Sequence, residues 1–408
     1  MKGKIWSFLI IFTFFLNNFS FAQNNKPNIV GTAGILIEAK TGKVLYEKNA
    51  HLCLEPASTT KIMTAIIALE KGNLNDKVAT SERAFKSDGS RIYLEVGETL
   101  TLEQMLYALM LNSANDAAVA IAEHISGSVE DFVKLMNEKA KEIGAKNTNF
   151  VNPSGLPDKN HYTTAYDLAM IARYALNNPT FSKIVKTKTL NIPWQGKEYD
   201  RTLINHNKLL WRYEGADGVK TGYTLSAGQT IVASATRNGM QLIAVVLKSQ
   251  GKNIYTDAIS LLDYGFNNFE RKDIIKKGEE IGIINVKYGN PVTLIASQDF
   301  SFIVEKNNNE PITFKKDIPK IIKAPLKKGA VVGKLNFYQG EKLIGSIDLV
   351  SKDEVKRKIS TYLWFKVLIL LLIVYIPFRI RVGINRYKRY KRKIKYLSQF
   401  SRDNDFHY

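Results

Sequence analysis

The sequence is short of the residues that several kinds of chemistry require. A single cysteine among 408 residues, Cys53, excludes an internal disulfide and every cysteine-rich metal module. The five histidines (His51, His124, His161, His206 and His407) are scattered and form no H-E-x-x-H. The clustered ligands of a zinc hydrolase are missing, so metal catalysis is set aside and no cofactor is expected. Long apolar runs occur only near the two ends, which excludes a multi-span membrane protein. What remains is an ordinary globular composition, 45% apolar and 24% charged, which also excludes a disordered acidic chain and a collagen-like one. At about 150 residues per domain the length suggests two or three folding units. Lys and Arg exceed Asp and Glu by 58 − 38 = 20. Such an excess invites a nucleic-acid reading, but its distribution decides against one.

Part of that charge belongs to the ends. Residues 1–22 have a basic start, an apolar stretch over 5–16 and the small-x-small ending Ser20, Ala22. This is the pattern of a cleaved secretory signal; an uncleaved anchor is the alternative. Near the other end, 362–378 is apolar except for Lys366, and the segment 379–408 carries ten basic residues against Asp403 and Asp405. An amphipathic surface helix would distribute charge around one face. Residues 367–378 have no charge at all, which fits a membrane span with Lys366 snorkelling to the interface. Basic tails are retained on the cytoplasmic side. The expected partner is therefore the cytoplasmic membrane rather than nucleic acid, with the body outside it and residues 379–408 inside.

Between the ends the pattern predicts an α+β body over 27–265. A hairpin over 30–50 turns at Lys40-Thr41-Gly42. A helix over 59–70 follows, apolar on nearly every side and therefore buried, ending at Gly72. Further helices are predicted at 101–112, 115–126, 129–143 and 164–175. Strands at 230–237 and 241–248 are joined by Asn238-Gly239, a strong hairpin signal, and a last helix covers 255–264. The sheet should be antiparallel, assembled from both ends of the body and flanked by helix clusters. Residues 272–350 carry short β-type runs (281–286, 292–296, 302–304, 331–338, 342–349) and read as a small all-β domain, its Tyr288-Gly289-Asn290 as a turn. A linker over 351–361 leads to the span.

Three motifs occur in one order: Ser58-Thr59-Thr60-Lys61, Ser113-Ala114-Asn115 and Lys220-Thr221-Gly222. Each is weak alone, and the chain supplies decoys in Ser249-Gln-Gly-Lys252 and Lys40-Thr41-Gly42. Only the 58/113/220 set places each motif at an element boundary. Ser58 opens the buried helix, where the backbone N–H faces a developing oxyanion at the positive helix end. Lys61 lies three residues on, along the same face. A serine hydroxyl is a poor nucleophile until a base removes its proton. A buried lysine beside a second ammonium, here Lys220, has its pKa lowered and can be that base. Cys53 reads as a core residue, His161 as a fastener of a loop to a helix start, and Asp217-Gly218 as a turn feeding the Lys220 strand.

The motifs, with Asn152-Pro-Ser-Gly-Leu156, 161–169 and 215–224, resemble the low-molecular-mass penicillin-binding proteins, serine-type D-alanyl-D-alanine carboxypeptidases of peptidase family S11. The similarity is strong over 27–265 and extends to the β-domain and membrane attachment. It implies a β-lactamase/transpeptidase-like fold and peptidoglycan stem peptides ending in D-Ala-D-Ala as substrates, with β-lactams as inhibitors. It further implies Ser58 as nucleophile, Lys61 as proton acceptor, Ser113 as proton shuttle and Asn115 as a ligand of the substrate amide. Lys220, Thr221 and Gly222 then line the terminal-carboxylate side, and the N–H groups of Ser58 and Tyr223 form the oxyanion hole. Two departures stand out: no Arg lies between Arg237 and Arg271 to help hold that carboxylate, leaving Lys252 as a weak substitute, and Tyr223 occupies a variable position. A class A β-lactamase needs a deacylating carboxylate in an E-x-x-x-N loop, and 150–167 holds no Glu. A D,D-endopeptidase acting on cross-links, or a catalytically vestigial wall-binding membrane protein, remain the alternatives.

Overall fold

The computed structural model describes residues 26–308 and 310–403; the signal sequence expected over 1–22 lies outside them, as do the last five residues. The chain forms two compact units, one ending at Arg271 and regaining 303–308, the other holding the remainder from Lys272 onward.

The first unit is built on a five-stranded antiparallel sheet. The hairpin β1 (Ala33–Glu38) and β2 (Val44–Lys48) is followed by the helices α1 (Lys61–Lys71), α2 (Leu102–Leu111), α3 (Asn115–Ser126), α4 (Val129–Ile143), α5 (Ala165–Leu176) and α6 (Pro179–Lys186). The chain then returns as β3 (Ala216–Thr224), β4 (Gly228–Arg237) and β5 (Met240–Ser249), and closes with α7 (Asn253–Asn268). The spatial order β2-β1-β5-β4-β3 interleaves strands from both ends of the unit, with Ile35 opposite Val245 and Val245 opposite Val232.

Both faces of this sheet are covered, which explains why β1 is apolar at nearly every position. Ile35, Ile37, Ile243 and Val245 face the cluster formed by α1 to α6, whereas Leu36, Leu242, Ala244 and Val246 face α7 through Ile254, Ala258 and Leu261. Successive strand residues point to opposite faces, so each face takes every second side chain. Removing such a side chain, as in Ile243→Ala, costs about 2–5 kcal/mol.

Three local expectations are corrected. The first α-helix begins at Lys61 rather than at Thr59, because Ala57–Thr60 forms a tighter 3₁₀ turn. Asp217 and Gly218 are not a turn but lie within β3, where a bulge shifts the register between Ala216 and Gly218. Cys53 is exposed rather than in the core, on a surface stretch that also exposes Leu52.

The second unit holds a five-stranded antiparallel sheet formed by β6 (Glu280–Ile284), β7 (Val292–Ala296), β8 (Ile312–Asp317), β9 (Val331–Gln339) and β10 (Lys342–Ser351), in the order β6-β7-β10-β9-β8. Its core gathers Leu294, Leu335, Phe337, Ile347, Leu349 and Val355. Strand β8 is absent from the β-type runs that the sequence pattern predicts. It is an edge strand with nearly every residue exposed and carries Lys315 and Lys316, so it lacks the alternating apolar signal and shows the charges that protect an edge. Helix α8 (Leu363–Asp403) follows, and 363–399 is long and apolar enough to cross a membrane.

Candidate active site

The Ser58–Lys61 pair sits at the junction of the 3₁₀ turn with α1. The turn is entered through Ala57, whose φ is +50°. At three residues per turn, side chains at i and i+3 eclipse, and Lys61 Nζ stands 3.0 Å from Ser58 Oγ. The turn is held from several sides. Thr59 Oγ1 and, from β4, Thr230 Oγ1 both donate to the Pro56 carbonyl, at 2.7 and 3.0 Å. Thr60 Oγ1 meets His161 Nε2 at 2.8 Å, and His161 Nδ1 accepts from the Val151 N–H at 3.2 Å. That second bond puts the imidazole proton on Nε2. Burial brings the His161 pKa down to about 4, so the ring is a neutral clamp.

Lys61 is fully buried. Its Nζ has three partners: Ser58 Oγ, Asn115 Oδ1 at 2.6 Å and the Ser154 carbonyl at 2.6 Å. The last two can only accept, so they take two N–H bonds, and only the hydroxyl of Ser58 can donate. Here Nζ donates to Ser58 Oγ as well, and a neutral amine fits the same set by receiving the hydroxyl proton on its lone pair. The electrostatics point the same way. Burial, and then the charge of Lys220, hold the Lys61 pKa well below its ordinary value, and Asp116 opposes them only in part.

Two loops complete the surroundings of Lys61. In the first, Asn152 Oδ1 accepts from the N–H groups of Ser154, Gly155 and Leu156 and from Ser154 Oγ, and its Nδ2 returns a bond to the Leu156 carbonyl. An asparagine side chain thus serves as the nucleus of the turn, and it aims the Ser154 carbonyl at Lys61. Thr64 on α1 donates to the Pro153 carbonyl at 2.6 Å. Gly155 is required by space as well as by its φ of +86°, since a Cβ there would stand 1.9 Å from the Ala57 carbonyl oxygen. In the second loop, the Asp88 carbonyl accepts from Asn115 Nδ2 at 2.5 Å, and the buried carboxylate of Asp116 accepts from the N–H groups of Ile92 and Leu94. Burial raises the Asp116 pKa.

Ser113 is nearly buried and holds a φ of +61°, a strained setting for a residue with a side chain. It precedes Ala114, the N-cap of α3, and Asn115, the first residue of that helix. Both ends of the Asn115 carboxamide are engaged, although one Nδ2 proton remains for a further acceptor.

The third motif forms the opposite wall. Lys220, Thr221, Gly222 and Tyr223 follow one another along β3, which among the described residues pairs with β4 alone (Thr221 opposite Ile231, Gly222 opposite Thr230). Lys220 is buried, its Nζ donates to the Thr221 carbonyl at 3.0 Å, and burial takes its pKa down to about 7. A Cβ at Gly222 would stand 2.7 Å from Ser58 N and 2.6 Å from Thr230 Oγ1. Only glycine lets β3 lie this close to the backbone of the serine. Tyr223 is exposed.

All three motifs therefore meet around Ser58 and Lys61, whereas the decoys are structural. Ser249 is buried and donates to Asp257 Oδ2 at 2.9 Å; Thr41 donates to Glu38; Lys252 is the N-cap residue of α7 and is exposed. Sequence reasoning assigned no role to Asp88, Asp116, Asn152, Ser154 or Thr230. Of these only Asn152 announced itself, as an asparagine ahead of a Pro-Ser-Gly turn. Among the described residues, no cluster of three or more His, Cys, Asp or Glu side chains could hold a metal.

The family profile described as D-alanyl-D-alanine carboxypeptidase, peptidase S11, matches residues 20–251, and that of the C-terminal domain of penicillin-binding protein 5 matches 269–357. The D-alanyl-D-alanine carboxypeptidase DacF of Bacillus subtilis is 39% identical over 339 residues, 80% of this chain and 86% of that protein. The carboxypeptidase DacA of Haemophilus influenzae is 35% identical over 348 residues, 81% and 86% of the two chains. Among solved structures, penicillin binding protein 5 of Haemophilus influenzae superposes with a TM-score of 0.70 at 33% identity, covering 82% of this chain and 99% of its own.

Proposed function

This chain belongs to the D-alanyl-D-alanine carboxypeptidase family, peptidase S11, and from that premise we propose how its residues carry out the reaction. It is a serine-type D-Ala-D-Ala carboxypeptidase of peptidoglycan metabolism. The neutral amine of Lys61 takes the proton of Ser58 as Oγ attacks the carbonyl carbon of the penultimate D-alanine. The carbonyl oxygen becomes an oxyanion, held by the N–H groups of Ser58 and Tyr223. Collapse breaks the peptide bond. Ser113 passes a proton to the departing amine, free D-alanine leaves, and the stem remains as an ester on Ser58. Water then hydrolyses the ester and returns Ser58 and Lys61 to their starting states.

The substrate enters as an extended strand. Among the described residues β3 has one hydrogen-bonded neighbour, β4, so its other edge is offered to a peptide in the manner of strand addition. The second Nδ2 proton of Asn115 takes the substrate amide. Thr221 and the ammonium form of Lys220 take the terminal carboxylate, with Gly222 providing the space. Penicillin acylates the same serine.

The observation that carries this reading is the set of partners around Lys61 Nζ, two obligate acceptors and one hydroxyl. It is tested by mass spectrometry after brief exposure to penicillin. The expected result is a persistent adduct on the peptide containing Ser58, because residues 150–167 supply no Glu to activate a deacylating water. An adduct elsewhere, or one cleared within the first seconds, contradicts it.

The domain limits proposed are 27–265 for the peptidase and 272–350 for the β-domain, with the linker 351–361 contributing buried Val355 to the latter. α8 anchors the protein, 362–378 spanning the membrane and the basic residues from 379 onward lying in the cytoplasm. The uncharged run 367–378 beside ten basic residues supports that orientation.

A further inference from the structure

Beyond the oxyanion position β3 ends at Thr224, and the chain turns through 225–227 into β4. A cavity of about 300 Å³ opens beside this turn, at the lower end of the range for ligand sites. Its walls carry charge of both signs: the carboxylate of Glu55 and the ammonium groups of Lys159 and Lys248, together with Tyr162 and Ser226. Glu55 accepts from Ser226 Oγ at 2.5 Å, which leaves its carboxylate further lone pairs to offer. Among the described residues none of the three charged groups belongs to an ion pair.

The cavity is tied to the nucleophile from three sides. Glu55 stands three residues before Ser58, and the carbonyl of Pro56 between them accepts from Thr59 and Thr230. Leu54 exchanges both backbone bonds with Thr163, at 2.8 and 2.9 Å, which brings the segment of Lys159 and Tyr162 alongside. At the end of β5 the ladder is bulged, Leu247 and Lys248 together standing opposite Thr230, and Lys248 takes a φ of +54°. Bulges re-aim side chains beside functional sites, and this one leaves Lys248 exposed on the cavity wall.

We propose that this cavity is a subsite for the stem residue that precedes D-Ala-D-Ala, and that it selects a side chain ending in an ammonium and a carboxylate together. The proposal rests on Ser58 as the nucleophile and on β3 as the edge that binds the stem. With the terminal carboxylate at Lys220 and Thr221 and the scissile carbonyl at the Tyr223 N–H, the stem runs antiparallel to β3. The preceding residue then comes level with the end of the strand. Ser226 lies no more than about 10 Å beyond Tyr223 at 3.3 Å per residue, within reach of a long side chain. The charges decide which side chain. A purely anionic end would meet Glu55, and a purely cationic end would meet two ammonium groups. Only an end with both signs pairs with all three.

The test compares three peptides, acetyl-X-D-Ala-D-Ala with X as meso-diaminopimelate, lysine or norleucine, as substrates of the full chain in detergent micelles. An exposed ion pair contributes up to about fivefold, so kcat/KM should be about tenfold higher for diaminopimelate than for either of the others. In the double variant Lys159→Gln, Lys248→Gln that preference should vanish, and lysine should overtake norleucine because Glu55 alone remains. Ratios taken within one variant cancel any general loss of activity. Cys53 gives a second readout, since the only cysteine of the chain is exposed and lines the same cavity. On folded Ser58→Ala protein the diaminopimelate peptide should slow its alkylation by a maleimide several-fold, and the norleucine peptide should not. Equal kcat/KM for the three peptides overturns the subsite and leaves the peptidase standing. Release of D-alanine from none of them overturns both. A diaminopimelate preference that survives the loss of both lysines, or alkylation of Cys53 at one rate with either peptide, places the side chain elsewhere and overturns the assignment to this cavity.

Discussion

Replacing Lys220 with methionine should make the protein more stable and less active at once. The side chain is fully buried, and burial lowers its pKa from 10.5 to about 7. At 1.36 kcal/mol per pH unit, that depression costs the fold about 4 kcal/mol at neutral pH, after allowing for the half of folded molecules that still hold the proton. Methionine matches the shape, removes this cost and loses one hydrogen bond to the Thr221 carbonyl, worth about 1 kcal/mol. The net gain is about 3 kcal/mol, or about 6–12 °C in the melting temperature of a unit of this size. The gain depends on pH with a fixed sign. The unfolded lysine keeps its proton up to 10.5 and the folded one releases it near 7, so the wild type gains stability as pH rises between those values. The advantage of Lys220→Met is therefore largest at pH 7 and below and has gone by pH 10.5. Removing the Lys220 charge also removes one of the two causes that depress the Lys61 pKa, so the acid limb of penicillin acylation should move to higher pH. Calorimetry of the peptidase transition at pH 6, 8 and 10, with acylation rates over the same range, checks both. A melting difference independent of pH, or an unmoved acid limb, would refute the reasoning.

Three other substitutions test separate parts of the site. Lys61→Arg puts a permanently protonated guanidinium where the base must be able to accept a proton, and acylation should fall by about 10²–10⁴; a near-normal rate would mean a different base. Gly222→Ala puts a methyl group where only 2.7 Å separates it from Ser58 N, forcing β3 away from the serine. The rate of penicillin acylation should drop by about a hundredfold while the fold survives, and wild-type kinetics would refute the contact. Asn152→Ala removes the acceptor that gathers three backbone N–H groups. It should cost about 1–3 kcal/mol and slow acylation by releasing the Ser154 carbonyl from Lys61. Unchanged acylation beside lowered stability would show that the loop supports the fold but not the base.

The chemistry was far more legible in the sequence than the geometry that serves it. Ser58, Lys61, Ser113, Asn115 and Lys220 stand at fixed offsets within motifs, and the structure brings the three motifs together. The long elements were legible too, because α3 and α4 have apolar periodicity and capping signals, and Asn238-Gly239 marks its hairpin. What escaped depends on tertiary context. The 3₁₀ turn beneath Ser58 arises from Ala57 at positive φ and the Thr59 and Thr230 bonds to Pro56, none of which a propensity encodes. The Asp217-Gly218 pair has the composition of a turn, but pairing with β4 draws it into a bulged strand. Cys53 reads as a core residue, but the stretch around it runs along the surface. Ser154 contributes only a carbonyl, which every residue possesses, so nothing in its identity marks it.

The most direct test of the central claim is the release of D-alanine from a cross-link-free pentapeptide stem by the full chain and by Ser58→Ala. Wild-type protein should release one D-alanine per stem, and Ser58→Ala should release none while keeping the wild-type circular dichroism and melting profile. D-alanine release that persists in Ser58→Ala, or a folded wild type that releases none, would contradict the assignment of Ser58 as the nucleophile of a D-Ala-D-Ala carboxypeptidase.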